Sequence, residues 1–193
     1  MKNFSTLLLA LLFMTSYAQK RELGETTIEE LKETKCPIDT SAVASVLFDI
    51  GKTYFDYSSS DGFNLVTEVD TKIKIYKNEG YKWATIEIPY YVGGTKNESV
   101  IFSKAITYNL VDGKIEKTKS KNENEFTVKK NKFWEIKKIT LPAVKEGSII
   151  EFRYMIKSPY ISTFPEWEFQ KEIPVIYSQY NANIPEYFIY NAY

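Results

Sequence analysis

Histidine is missing from the chain altogether, and cysteine occurs once, as Cys36. No Ser-His or Cys-His pair can assemble within these residues, and no imidazole can ligate a metal. A lone thiol also excludes an internal disulfide. Cys36 is a buried, small apolar side chain, a free thiol or half of an intermolecular bridge, and burial is the simplest of the three. An excess of one charge is lacking too, since 25 acidic and 25 basic residues balance. That balance offers no footprint for nucleic acid or an anionic membrane. The lysine-rich stretch Val111–Leu141 is interrupted by Glu116, Glu123, Glu125 and Glu135, as expected of a solvated hairpin face.

Long apolar runs are absent except at the start. Lys2, then "LLLALLFM" (Leu7–Met14), then the small-residue ending "SYA" (Ser16–Ala18) form the three parts of a secretory signal peptide over residues 1–18. Cleavage is expected between Ala18 and Gln19. The run is too short to span a bilayer, so no transmembrane span is expected after signal removal. Gln19, not a cysteine, stands directly after the cleavage point, so no lipid anchor is expected, and the product is expected in the periplasm, at the cell surface or outside the cell. Losing Lys2 with the leader leaves the remainder one charge negative.

What is present reads mostly as β-structure. A helical lead-in over residues 19–41 contains "TTIEELKETK" (Thr26–Lys35), with Thr27 and Glu30 in capping-box spacing and Pro37 ending it. From there the period falls to 2. In "LVTEVDTKIKIY" (Leu65–Tyr76), Leu65, Val69, Ile73 and Ile75 alternate with Glu68, Asp70, Lys72 and Lys74, the pattern of a half-buried strand. "NEG" (Asn78–Gly80) predicts a hairpin turn into Tyr81–Tyr91. Asp112-Gly113 predicts a tight turn between Ser99–Leu110 and Lys114–Lys119. Phe133–Pro142, Ser148–Lys157, Ile173–Ser178 and Tyr187–Tyr193 add further strands. The expected fold is an antiparallel β-sandwich or strongly curved sheet over residues 42–193 with one short N-terminal helix.

Candidate chemistry is thin. No lysine stands in Ser-x-x-Lys spacing to Ser148. Glu166 and Glu168 flank Trp167 and would share one face of a strand, a surface pair more readily than an acid–base couple. The aspartates lack calcium-loop spacing, and Gly93-Gly94 has no helix behind it to hold phosphate. No cofactor or metal is implied. Aromatic residues, 16% of the chain, could pack inside the sheets or form a ligand platform, for which Trp83, Trp134 and Trp167 are the candidates.

The segments "AITYNLVDGK" (Ala105–Lys114), "ITLPAVKEGSIIEFRYMIKSP" (Ile139–Pro159), "WEFQKEIPVIYSQY" (Trp167–Tyr180) and "IPEYFIYN" (Ile184–Asn191) carry a resemblance in their order and spacing. The chain resembles the family called domain of unknown function 3857 from about Leu31 to its end, with "ASVLFDIGKTYFDY" (Ala44–Tyr57) similar to the family's opening strands. The resemblance implies structural signature positions at Gly113, Gly147, Glu151, Tyr154, Pro159, Trp167, Phe169, Gln170, Pro174 and Pro185. In bacterial envelope proteins this domain precedes a transglutaminase-like domain with a Cys-His-Asp triad, which this chain lacks. The resemblance thus implies a non-catalytic module that supports or orients that downstream partner, in a chain cut short before it. Two alternatives stand beside it: a stand-alone domain that binds cell-wall glycan or peptide through exposed aromatics, and a fragment of a transglutaminase-like protease or transamidase.

Overall fold

The computed structural model describes residues 21–190, so the signal-peptide expectation for residues 1–18 lies outside the described residues. The chain is mostly β. A short helix α1 (Ile28–Lys32) leads into strands β1 (Ala44–Ser58) and β2 (Gly62–Ile75). After a 3-10 helix at Asn78–Ala84 come β3 (Thr85–Tyr91), β4 (Ser99–Val111), β5 (Lys114–Lys119), β6 (Glu125–Lys129), β7 (Trp134–Thr140), β8 (Ile149–Ser158) and β9 (Ser178–Asn183).

These strands form a six-stranded sheet in the order β5-β4-β8-β2-β1-β9 and a three-stranded sheet in the order β3-β7-β6. The period-2 alternation sets the two faces of the large sheet. Val46, Ile73, Ile150 and Phe152 point to one face, where Ala84, Leu141 and Ile86 from the small-sheet side pack on them. Leu31 from α1 packs with Ile106, Tyr108 and Ile149 on the opposite face. The Asp112-Gly113 turn forms as expected, both residues having positive φ (49° and 74°).

Four sequence expectations change. The capping box forms, with Thr27 Oγ1 accepting from the Glu30 amide at 3.1 Å and Glu30 Oε2 accepting from the Thr27 amide at 2.8 Å. The helix nevertheless ends at Lys32, short of Lys35. Its last carbonyls are redirected, because the Leu31 carbonyl accepts from the Lys74 ammonium at 2.8 Å.

That bond bears on the second change. Lys72 and Lys74 are buried rather than solvated, because the lead-in folds over this end of β2 and supplies acceptors. The half-buried reading holds only for the other end, where Glu68 and Asp70 remain partly exposed.

Third, "NEG" makes no hairpin. It opens the 3-10 helix, which carries the chain from the large sheet to the small one, and β3 pairs with β7. Fourth, the strands expected at Ile173–Ser178 and Tyr187–Tyr193 do not form over 173–177 or 187–190, and Ser178 instead opens β9. Val175 makes an isolated bridge to Val46, Tyr187–Tyr190 is irregular, and residues 191–193 lie outside the described residues. β9 then joins β1 in parallel, so the large sheet is mixed. A parallel neighbour needs a long crossover, and residues 159–177 provide it.

Candidate functional site

The crossover decides where a ligand could sit. Its prolines deny it regular pairing, and it drapes Glu166, Trp167, Glu168 and Lys171 along the face that the two sheets share. A groove of about 500 Å³ opens there. Its floor is Val46, Ile73, Phe152 and Tyr154 of the large sheet, one wall is β3 from Thr85 to Pro89, and the other is the crossover. That volume falls in the range of small-ligand sites.

Polar groups are few and specific. Asp49 on β1 is 2% exposed. It accepts from Thr71 Oγ1 at 2.6 Å, and the Lys171 ammonium reaches it at 3.1 Å. Burial, with the Asp49 charge adding to it, pushes the Tyr154 phenol above its ordinary pKa, so Tyr154 faces the groove as a neutral hydroxyl. The Trp83 indole N–H is shielded from solvent and hydrogen-bonds to nothing among the described residues. A buried donor without a partner is uncommon and calls for an explanation.

The three tryptophans do not form one platform. Trp83 and Trp167 line the groove. Trp134 lies at the start of β7, edge-on to Tyr91 with ring centroids 5.5 Å apart. Trp167 is anchored on three sides. Its indole donates to Ser178 Oγ at 3.0 Å, its ring stacks on Tyr180 at 5.2 Å, and it lies over Gly51, where a Cβ would sit 2.4 Å from the ring. Glu166 and Glu168 are exposed on irregular chain, not on a strand.

Among the signature positions, Gly113 and Gly147 take positive φ, the Pro174 carbonyl accepts from the Val46 amide at 2.9 Å, and the Pro185 carbonyl accepts from the Phe188 amide at 2.9 Å. Phe169 and Gln170 are exposed, and Pro159 is partly buried. Asp49 and Lys171 were not singled out from the sequence as a pair. The available signal was an acid inside the apolar run "SVLFDIG" (Ser45–Gly51), which only tertiary structure could connect to Lys171.

Ionisable groups also gather around Glu151, whose side chain is wholly buried. It accepts from the Gly24 amide at 2.6 Å, Thr26 Oγ1 at 2.9 Å and the Tyr108 hydroxyl at 3.0 Å. The Lys104 and Lys72 ammonium groups stand 3.4 and 3.8 Å away, and Lys72 bonds Glu30 at 2.8 Å. Gly24 and Thr26 tie the lead-in to this carboxylate, and Tyr108, Lys104 and Lys72 hold it from the sheet. Cys36 is fully buried, as its apolar character suggested. Among the described residues no cluster of acids and thiol is arranged to hold a metal, and no helix is long and apolar enough to cross a membrane.

Known proteins supply two likenesses. No curated protein matches the chain. The crystal structure of a candidate protease from Parabacteroides distasonis is similar over 60% of this chain at 13% identity, with a TM-score of 0.47. This chain spans 23% of that protein's length. A family model described as a domain of unknown function with solved structure, DUF3857, matches residues 63–193. That match begins at Phe63, so it does not reach the Ala44–Tyr57 segment. The chain belongs to the family of domain of unknown function 3857.

Proposed function

We propose that this chain is a non-catalytic module, exported from the cytoplasm, that supports a neighbouring transglutaminase-like domain in a longer protein. The observation that carries this reading is an uncovered aromatic surface. At the tip of the β1–β2 hairpin, Phe55 stacks on Phe188 with centroids 4.4 Å apart and Phe63 meets Phe188 edge-on at 5.3 Å. Around them Tyr57, Tyr187 and Ile189 are 63%, 67% and 93% exposed. A contiguous apolar patch of this kind marks a contact surface in a soluble protein. The groups that could do chemistry are engaged elsewhere, Glu151 in holding the lead-in and Asp49 in pairing with Lys171.

Hydrogen exchange tests this in two samples: residues 19–193 alone, and the longest natural product that contains them. Amides of residues 184–190 are expected to exchange at least about ten-fold more slowly in the longer product. Equal exchange in both samples, or turnover of a peptide or amide substrate by residues 19–193, overturns the reading.

A further inference from the structure

The second surface concerns a ligand, and it rests on the groove alone, independent of the supporting-module reading. β3 ends the small sheet and pairs with β7 on one side, leaving its other edge without a strand among the described residues. The bonds Leu141 N–H to Ala84 O (2.9 Å) and Val92 N–H to Phe133 O (2.8 Å) fix the phase of that pairing. Even-numbered residues of β3 therefore turn their backbone groups toward β7, and Thr85, Glu87 and Pro89 turn theirs outward. Pro89 fits this phase because its missing N–H lies on the unpaired side.

The unpaired edge is bounded at both ends. Thr85 N–H bonds the Lys82 carbonyl, and Tyr91 is closed by Glu98, which donates its amide to the Tyr91 carbonyl at 2.9 Å and accepts the Tyr91 amide at 2.7 Å. What remains is a short window centred on Glu87, and it faces the groove.

Two features of the groove agree on what would fill that window. The strand edge presents the Thr85 carbonyl, the amide and carbonyl of Glu87 and the Pro89 carbonyl, which an extended backbone can pair with and a sugar does not match. The charge is acidic. Asp49 is already paired with Lys171 and Glu87 with Lys138, while Glu166 and Glu168 stand exposed at the rim beside the Trp167 ring. Carboxylates next to an aromatic face suit a lysine or arginine side chain.

We infer that the groove captures a basic peptide segment of another protein in extended form, adding it as a strand to β3. Its backbone pairs with Glu87, and its cationic side chain lies between Glu166, Glu168 and the face of Trp167.

Titration calorimetry of residues 19–193 tests this with four probes: an alternating valine–lysine hexapeptide, the same peptide N-methylated at its central residues, its valine–glutamate counterpart, and chitohexaose. The valine–lysine peptide is expected to bind, and the glutamate peptide and the sugar are not. N-methylation, which removes the strand-pairing donors while keeping the charge, should weaken binding by about ten-fold or more. The paired substitutions Glu166→Lys and Glu168→Lys lie on exposed irregular chain and leave the fold intact, and they should weaken it by about ten-fold, more at low salt. Binding of the sugar alone, equal binding of acidic and basic peptides, indifference to N-methylation, or no binding of any probe overturns the inference.

Discussion

Lys74 and Glu151 show what a charge does once the chain has closed over it. The Lys74 ammonium, fully buried, donates to the Leu31 carbonyl at 2.8 Å and the Gly147 carbonyl at 2.7 Å. Desolvation lowers its pKa from 10.5 to about 8, with the Glu33 and Glu30 charges partly opposing the drop. Between pH 8 and 10.5 the unfolded chain therefore binds more protons at this site than the folded one, and stability rises with pH. The effect is cleanest below pH 10. Above that, Tyr54 and Tyr76, both raised to about 12, keep protons that the unfolded chain loses, and stability falls. Urea denaturation at pH 7.5, 8.5 and 9.5 should show the rise in the natural chain and lose it in Lys74→Met. A flat profile in the natural chain would refute this account. Glu151→Ala leaves Lys72, Lys104 and Tyr108 facing an uncompensated interior, and a loss of about 3–5 kcal/mol is expected by the same measurement. Exchange at residues 24–31 should rise with it, and an unchanged lead-in would show that the carboxylate is not the latch.

At the scale of elements, a glycine on β1 and a tryptophan on the crossover depend on each other. Any Cβ at residue 51 meets the Trp167 ring at 2.4 Å, so Gly51→Ala must lift the ring from its stack on Tyr180 and its bond to Ser178. A loss of about 1–3 kcal/mol is expected, with a displaced Trp167 indole N–H resonance. An unmoved resonance and unchanged stability would sink this pairing. This partnership was not legible in the sequence, where Gly51 was one glycine in a strand and Trp167 a candidate platform residue. The strands themselves were legible where period 2 ran long, as in β2 and β8, while β4 was marked by its Asp112-Gly113 turn and β1 by the family resemblance. Reading failed where a local signal met a tertiary one. "NEG" offered a turn but was needed to cross between sheets. Ile173–Ser178 suggested a strand yet most of it became the end of a crossover, because β1 accepts a parallel neighbour only after the chain has returned to its starting end.

For the molecule as a whole, the two surfaces make separate demands. In the functions proposed above, the aromatic tip receives a covering domain and the groove beside β3 receives a strand. The proposed export would place both outside the cytoplasm. Intact mass of the product from a bacterial host should begin at Gln19, and fractionation should place it in the envelope. A cytoplasmic product retaining residues 1–18 would refute the export reading.

Composition and periodicity alone determined that this chain is mostly β, has no histidine chemistry and no internal disulfide, and carries its apolar residues in alternation. Those follow from residue identity and from the geometry of one extended strand. Which lysines are buried, which glycine cradles a tryptophan, and which strand edge stays open were decided only by tertiary structure. Each depends on a partner 30 or more residues away, as in the Lys74–Leu31 bond at a separation of 43 and the Gly24–Glu151 bond at 127. Local sequence carries no record of a neighbour that only the closure of the sheets brings near.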